Sequence, residues 1–332
     1  MMRWRRRLLW FVAGIVAVVV VGSLLVVGYL AAHRAPVVPL RAGAVELAGS
    51  VMYDGRERPY RLHFPPGYTP EKRYPLVLAL HGGGGAGESF DAQTTAGTLS
   101  SAADELGVVL CFPEGIERTW LDPRPGSQAP HAVDPGYHVG YFRVLLDHLE
   151  GSVGVDPDRV YATGISNGGM MSLMLAIGLS DRVAAVAPVT ANLREPQIGL
   201  RPEHPVSLLL INGTLDPLVP YDGGEVVVFG KQRGRVVATT QTLAVFREAN
   251  GCAAEPAVEM LPDADPGDGT RVVQSTWTGG RAVVRLLEVQ GGGHTWPGGH
   301  AYLGEGMVGK VSRDLDASRV ILEFFLAHPR LR

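Results

Sequence analysis

The chain has 332 residues, of which 46% are hydrophobic and 19% are charged, a composition that is typical of a globular protein and excludes a mainly disordered chain. The formal net charge of −3 gives no indication of nucleic-acid binding. The charges are unevenly distributed, because the first 34 residues contain five arginines and no acidic residue. The amino-terminal segment is therefore basic, and the remainder of the chain is acidic.

The amino-terminal segment has the pattern of an export signal. A basic stretch, Met1–Arg7, precedes 25 residues without a charged side chain, Leu8–Ala32. A cleaved secretory signal has an apolar stretch of about 7–15 residues, whereas a helix that spans a bilayer needs about 20. Residues 1–34 are therefore predicted to be a signal anchor, with the arginines in the cytoplasm and the following chain outside. The alternative is a secreted protein whose signal is cleaved near Ala31–Ala35.

Residues 35–42, which contain two prolines, are predicted to form a stiff linker to a body in which strands and helices alternate. The predicted strands are Val45–Tyr53, Arg58–Phe64, Leu76–Leu80, Val108–Phe112, Val160–Thr163, Val183–Val189, Ser207–Asn212, Arg271–Thr278 and Ala282–Val289. The predicted helices are Leu99–Leu106, Val139–Leu149, Asn167–Leu179, Thr239–Ala249 and Ala317–Ala327. The first two strands are joined at Asp54-Gly55, a common hairpin turn. This alternation predicts one α/β domain, residues 43–332, with a mostly parallel sheet and helices on both faces.

The motif Gly164-Ile165-Ser166-Asn167-Gly168 matches G-x-S-x-G and occurs once in the chain. In that motif a serine stands on a sharp turn from a strand to a helix, where its hydroxyl is exposed and the glycines allow close approach. The motif alone is a weak signal, since a glycine-rich turn with an ordinary serine would give the same letters. A predicted strand precedes it and a predicted helix follows it, and this context favours Ser166 as a nucleophile.

A carboxylate and a histidine follow Ser166 in the order that this chemistry uses. Asp216 lies four residues after the end of the predicted strand Ser207–Asn212, where a carboxylate can orient an imidazole. Asp222 is a competitor, but it lies in a Tyr-Asp-Gly-Gly sequence that is typical of a turn. His294 stands among glycines after another strand and is the candidate general base, while His300 is farther from that strand. The sequence therefore predicts the triad Ser166, Asp216 and His294.

The glycine run that begins at Gly82 supports two hypotheses. Such a loop can supply a backbone N–H to an oxyanion hole, for which we predict Gly83, with Gly82 as the second choice and Asn167 as the other donor. Gly82, Gly84 and Gly87 also match the G-x-G-x-x-G of dinucleotide-binding proteins. The acidic residue that such a site needs would be Asp104 or Glu105, which both fall inside a predicted helix. The oxyanion role is favoured.

The two cysteines give no indication of a metal or redox site. Cys111 lies in an apolar strand and Cys252 follows a predicted helix, and both are expected to be free thiols. Asn212 begins a glycosylation sequon, but its place at the end of a strand indicates that the match is fortuitous. No cofactor and no metal ion are expected.

Five segments resemble the polyhydroxybutyrate depolymerase-like esterases, relatives of the feruloyl and acetyl-xylan esterases with the α/β-hydrolase fold. They are LVLALHGGGG, FPEGIERTW, VDPDRVYATGISNGGMMSLMLA, LLLINGTLDPLVPY and GGGHTWPGG. The resemblance covers about residues 44–300. It implies a serine carboxylesterase with the triad named above, and it implies that Trp120 and Trp296 line the acyl or alcohol pocket, although both could equally be packing residues.

Three features depart from that family. Residues 137–141 read Tyr-His-Val-Gly-Tyr where such esterases often have an Asp-Asp pair, and the cysteines frequent in the family's loops are missing. No polymer-binding module is expected after the last helix. A small, oligomeric or cell-envelope ester is therefore expected as the substrate, with the membrane as a partner of the anchor helix.

Two other classes of function remain open from the sequence. A serine peptidase of the same fold would use the same triad, and a surface-binding protein with a vestigial site would keep the fold without the activity. The complete set of nucleophile, acid, base and glycine loop favours the ester hydrolase. The oligomeric state is not indicated by any pattern.

Overall fold

The computed structural model describes residues 40–120 and 134–330 of the chain. The strands are β1 (Val45–Tyr53), β2 (Arg56–Phe64), β3 (Tyr74–Leu80), β4 (Val109–Pro113), β5 (Val155–Ile165), β6 (Ala185–Val189), β7 (Ser207–Gly213), β8 (Gly224–Val228), β9 (Lys231–Val236), β10 (Ala257–Met260), β11 (Arg271–Trp277) and β12 (Val284–Gln290). The helices are α1 (Thr98–Leu106), α2 (Pro135–Ser152), α3 (Asn167–Gly178), α4 (Thr239–Asn250), α5 (Glu305–Val308) and α6 (Ala317–Ala327).

Ten of these strands form one sheet in the order β1-β2-β4-β3-β5-β6-β7-β12-β11-β10. The six strands from β4 to β12 in that order run parallel to their neighbours, and the pairs at both ends are antiparallel. Strands β8 and β9 form a separate antiparallel hairpin. The mostly parallel sheet of the sequence prediction is thus confirmed, and so is the antiparallel hairpin of β1 and β2 at one end of it.

Helices cover both faces of the sheet, as the prediction requires. Strand β3 shows why, because its residues alternate between two cores. Leu76, Leu78 and Leu80 belong to one core, which also contains apolar side chains of α2, α3 and α4. Val77 and Ala79 belong to the other core, with apolar side chains of α1 and α6. A strand buried on both faces reads as a continuous apolar run, and the sequence of β3 is such a run.

The hairpin between β1 and β2 has the turn that its sequence predicts. Asp54 and Gly55 both have positive φ angles, 49° and 69°. Two consecutive positive φ angles define the type I′ turn, whose twist suits a two-residue connection and which favours Asp or Asn before Gly. The pairing of Tyr53 with Arg56 follows directly from this turn.

Several elements differ from the sequence prediction. Strand β5 begins at Val155, five residues early, and helix α2 begins at Pro135 and ends at Ser152. The hairpin β8–β9 and the edge strand β10 were not predicted. Cys111 and Cys252 are free thiols, as expected, and burial raises the pKa of the Cys111 thiol.

The predicted anchor helix, Leu8–Ala32, lies outside the residues that the structure describes, as does much of the linker. Within residues 40–120 and 134–330, no helix combines the length and the hydropathy that crossing a bilayer would require.

Candidate active site

Ser166 occupies a strained turn between β5 and α3. Its backbone has φ 56° and ψ −121°, a conformation that a residue with a side chain rarely adopts and that is typically retained at functional sites. The Ser166 N–H donates to Val189 O at 2.9 Å, which fixes the turn against β6. The side chain is partly exposed, and Oγ has no hydrogen-bond partner in the described part of the chain. The serine hydroxyl is therefore free to meet a substrate.

The glycines of the motif are required by close backbone contacts. A methyl group on Gly168 would overlap the carbonyl oxygen of Leu80 and would come within 2.6 Å of the carbonyl oxygen of His81. A methyl group on Gly164 would lie 2.5 Å from the same Leu80 oxygen. Both glycines therefore allow the turn at Ser166 to pack against the end of β3, as the motif predicts.

His294 and Asp216 form a buried hydrogen-bonded pair. His294 Nδ1 lies 2.7 Å from Asp216 Oδ2, and both side chains are almost fully buried. Asp216 Oδ1 accepts the backbone N–H groups of Leu218 and Val219, each at 2.8 Å. Because Oδ2 faces the imidazole, the hydrogen of His294 lies on Nδ1 and leaves Nε2 as an acceptor. Asp222, the competing carboxylate, is an exposed turn residue.

The topology of the sheet places the three predicted residues at one edge. Ser166, Asp216 and His294 follow the carboxyl ends of β5, β7 and β12, respectively. These strands belong to the consecutive parallel run β5-β6-β7-β12, and parallel strands end at the same edge. The structure brings His294 and Asp216 into direct contact, but it contains no hydrogen bond between Ser166 Oγ and His294. The complete triad therefore stays a prediction, and such bonds are often long without a substrate.

The segment that carries His294 is held by backbone bonds and by Tyr302. His294 N donates to Val308 O at 2.5 Å, and the Tyr302 hydroxyl donates to His294 O at 2.9 Å. Burial raises the pKa of Tyr302, and the nearby Asp216 carboxylate raises it further. Tyr302 therefore stays protonated and remains a donor. Sequence analysis missed this residue, because a tyrosine that bonds to a backbone oxygen leaves no spacing pattern.

The glycine loop after β3 lies against the serine turn. A methyl group on Gly82 would lie 3.3 Å from Ile165 Cγ2 and 3.7 Å from Ser166 Cβ, so this residue packs against the turn that carries the nucleophile. Gly82 O is bonded by His81 Nδ1 at 2.8 Å and by Gly85 N at 3.0 Å. In a trans peptide the C=O and the next N–H point in opposite directions, so these two bonds also fix the direction of Gly83 N–H.

The two predicted oxyanion donors are both available. Within the residues that the structure describes, neither Gly83 N–H nor Asn167 N–H has a hydrogen-bond acceptor. Asn167 is buried, and a buried N–H without a partner is uncommon and calls for an explanation, whereas Gly83 is exposed. The His81 ring also has a fixed role, because Nε2 accepts Gly115 N–H at 3.0 Å and Nδ1 must therefore carry the hydrogen. These observations are consistent with an oxyanion hole, whose assignment remains a prediction.

The structure argues against substrate contact for both predicted pocket tryptophans. Trp120 and Trp296 are fully buried. The indole N–H of Trp120 donates to His81 O at 3.0 Å, and that of Trp296 donates to Ser318 Oγ at 3.1 Å. With no exposed surface and a satisfied donor, neither ring is accessible to a substrate in this structure. The sequence motif indicated their proximity to the site but could not show which way the rings face.

The dinucleotide-binding alternative has no support in the geometry. Asp104, one of the acidic residues it needs, lies in α1 and pairs with His63 at 2.7 Å, with both side chains buried. Asn212 of the glycosylation sequon is likewise buried, and its side-chain amide nitrogen donates to Thr239 Oγ1 at 3.0 Å. Neither side chain is exposed to a ligand or to a glycan.

Comparison with solved structures identifies the class of the fold. The acetyl xylan esterase from Aspergillus awamori aligns with a TM-score of 0.51 over 75% of this chain and 94% of that chain, at 13% sequence identity. At this identity the likeness concerns the fold alone. Together with the mostly parallel sheet, it identifies an α/β-hydrolase-like fold.

Comparison of sequences identifies the family. The family model Esterase, described as "Putative esterase", matches residues 51–203. The chain is 38% identical over 296 residues to the "Putative esterase NocK" of Nocardia uniformis subsp. tsuyamanensis, which covers 86% of this chain and 84% of that protein. It is 28% identical over 238 residues to Feruloyl esterase B of Piromyces equi, of which it spans only 41%. The chain belongs to this esterase family and is a carboxylic ester hydrolase, which confirms the resemblance found in the sequence.

Proposed function

We propose that the chain hydrolyses carboxylic esters by two-step acyl transfer through Ser166, His294 and Asp216. The observation that carries the proposal is the buried His294–Asp216 pair at the same edge of the sheet as the carboxyl end of β5, which Ser166 follows. An imidazole whose Nδ1–H is held by a carboxylate presents Nε2 to a hydroxyl as a general base. The strained turn at Ser166 exposes such a hydroxyl.

The proposed reaction begins when Ser166 Oγ attacks the ester carbonyl and His294 Nε2 takes its proton. His294 then gives that proton to the leaving alcohol, and an acyl-enzyme remains on Ser166. Water, activated by His294, attacks the acyl carbon, and the acid is released as Ser166 regains its proton. Gly83 N–H and Asn167 N–H stabilise the oxyanion in both steps, and losing one such donor costs about 2.7–4 kcal/mol.

For the substrate we propose a feruloyl, acetyl or hydroxyalkanoate ester. This ester is a small molecule, an oligomer or a component of the cell envelope. The name of the relative Feruloyl esterase B supports an aromatic acyl group, and the family membership supports ester chemistry in general. Leu215, directly before Asp216, is 69% exposed and offers an apolar surface beside the site. An apolar rim suits an ester with a hydrophobic acyl part.

For the location we propose export, with residues 8–32 as the anchor or as part of a cleaved signal. The basic amino terminus and the uncharged stretch after it support this proposal. Membrane fractionation of the full chain separates the two forms, since an anchored protein stays with the membranes after carbonate extraction and a cleaved one does not.

A fluorophosphonate probe tests the proposed nucleophile, because it reacts only with an activated serine. We expect the wild type to be labelled and to hydrolyse p-nitrophenyl acetate and methyl ferulate. The Ser166→Ala variant should lose labelling and at least about 10³-fold in kcat. Ser172→Ala, which changes a buried serine of α3 outside the site, is the matched control and should keep both.

Three outcomes would contradict the proposal. Labelling that persists in Ser166→Ala would place the nucleophile elsewhere. An absence of labelling and of turnover in the wild type would favour a binding protein. Faster turnover of an anilide than of the matched ester would favour a peptidase.

A further inference from the structure

Trp120 connects the two backbone segments that carry the proposed oxyanion donors. Its main chain forms a two-way pair with the side-chain amide of Asn167, because Trp120 N donates to Asn167 Oδ1 at 2.7 Å and Asn167 Nδ2 donates to Trp120 O at 3.3 Å. Its indole donates to His81 O at 3.0 Å. Trp120 is fully buried and Asn167 nearly so, which means that water does not replace these partners.

The indole bond acts on the loop that contains Gly83. The carbonyl oxygen of His81 belongs to the peptide that precedes Gly82, and Gly82 packs against Ile165 and Ser166. The same oxygen lies so close to the start of α3 that a methyl group on Gly168 would be 2.6 Å from it. A shift of this carbonyl would therefore move the glycine loop relative to the serine turn.

The Asn167 side chain acts on the other segment. Asn167 is the first residue of α3, and its N–H is the donor that follows the nucleophile. Its side chain binds the main chain of Trp120, and Thr119 Oγ1 is a further donor to Oδ1 at 3.1 Å. The side chain of Asn167 thus fixes the residue whose backbone faces the substrate.

We propose that Trp120 is a positioning residue for ester hydrolysis: it sets the separation of Asn167 N–H and Gly83 N–H by binding Asn167 through its backbone and His81 through its indole. This inference rests on the proposed function, which assigns the two N–H groups to the oxyanion. The value of such donors depends on their alignment with charge that develops only in the transition state. Trp120 therefore contributes to kcat and hardly to binding of the substrate.

The Trp120→Phe variant tests the indole bond. Phenylalanine keeps an aromatic ring beside His81 and Phe142, whose ring centroids lie 5.1 and 5.5 Å away, and removes the donor to His81 O. We expect kcat to fall about 10- to 100-fold, and KM to stay within about twofold of the wild-type value. The expected loss in kcat is smaller than the loss of about 10²–10³-fold that follows removal of one oxyanion donor. The Ki of phenylboronic acid, whose serine adduct is tetrahedral, should rise by a factor similar to the loss in kcat/KM.

The control is Trp277→Phe, which removes the same atoms from a buried tryptophan of β11 away from the site. It should keep the wild-type kcat. If Trp120→Phe does not fold, replacement of Trp120 by 3-benzothienylalanine removes the N–H at almost unchanged volume, and the same changes in kcat and Ki are expected.

A double-mutant cycle with Asn167→Ala distinguishes positioning from independent packing effects. Asn167→Ala breaks the contact between Asn167 and Trp120, and Trp120→Phe breaks the contact between Trp120 and His81. Since either change interrupts the same connection between the two donor segments, the kcat of the double variant should be within about threefold of that of the slower single variant. Multiplied losses, a wild-type kcat in Trp120→Phe, or a rise in KM without a change in the boronate Ki would overturn the proposal. Failure of the proposed function is a separate result, since the wild type would then lack turnover that depends on Ser166.

Discussion

Both oxygens of the Asp216 carboxylate accept hydrogen bonds, and these bonds determine the effect of replacing Asp216 by a neutral residue. Oδ1 accepts two backbone N–H groups, and Oδ2 accepts the Nδ1–H of His294. An asparagine has one acceptor oxygen and one donor nitrogen. The two backbone N–H groups would stay hydrogen-bonded to the amide oxygen of the asparagine, and its amide nitrogen would then face His294 Nδ1.

We predict that Asp216→Asn loses activity through the tautomer of His294. An amide donor at Nδ1 moves the imidazole hydrogen to Nε2, which then cannot accept the proton of Ser166. Steady-state kinetics should show kcat reduced by about 10²–10⁴-fold, with KM changed by less than about threefold. Asp222→Asn, which alters an exposed turn residue, is the control and should behave as the wild type. A larger loss in the control would reassign the catalytic carboxylate.

At the scale of the elements, the contact between α3 and the end of β3 tolerates no side chain at Gly168. The atoms that a methyl group would meet are the backbone oxygens of Leu80 and His81, which cannot rotate away. Gly151 of α2 provides the comparison, because a methyl group there would meet nothing within 4 Å. Both glycines lie in helices, so replacement by alanine raises the intrinsic helix propensity at both positions.

We predict opposite effects for these two substitutions. Gly168→Ala should lower the free energy of unfolding by about 1–3 kcal/mol, because it overpacks the contact and displaces the serine turn. Gly151→Ala should raise it by up to about 1 kcal/mol. Urea unfolding at neutral pH measures both. Equal changes in the two variants would show that the close approach at Gly168 is not restrictive.

The sequence predicted those elements whose pattern reflects burial. The continuous apolar run of β3, the Asp54-Gly55 turn and the helix Ala317–Ala327 are examples, and each has its predicted type and position. The start of β5 was not predicted, because Asp156, Pro157 and Asp158 resemble a loop, and the pairing with β3 is irregular at this point. Strand β10 was missed because all four of its residues are exposed and carry no alternation.

The candidate site was predictable where a motif fixes the residue type. Ser166, Asp216 and His294 stand at strand ends within recognisable motifs, and the His294–Asp216 contact follows from the adjacent strands β7 and β12. The supporting groups Tyr302 and His81 act through backbone carbonyls, for which any donor at the right place would serve. Such contacts depend on the three-dimensional path of the chain and leave no pattern in the sequence.

At the scale of the whole molecule, surface ion pairs link segments that are distant in the chain, and one of them makes stability depend on pH. Arg143 of α2 bonds both oxygens of Asp181, which follows α3, at 2.8 and 3.0 Å. The Arg143 guanidinium lowers the pKa of the Asp181 carboxyl below its usual value of 3.8. The folded protein therefore binds this proton more weakly than the unfolded chain does. The contribution to stability is complete above about pH 4 and is lost as the pH falls through the lowered pKa.

We predict that Arg143→Met lowers the free energy of unfolding at pH 7 by about 0.2–1 kcal/mol, because the pair is partly exposed and screened by solvent. The difference from the wild type should shrink as the pH falls below about 4, since protonated Asp181 no longer pairs with Arg143. Urea unfolding at pH 7, 5, 4 and 3 measures this difference directly. Arg201→Met is the control for losing an exposed arginine, because Arg201 contacts Glu248 at 3.3 Å and also donates to the carbonyl oxygens of Ile198 and Leu200. A difference between wild type and Arg143→Met that stays constant down to pH 3 would mean that the arginine stabilises the fold through its aliphatic contacts and that the charge of Asp181 contributes nothing.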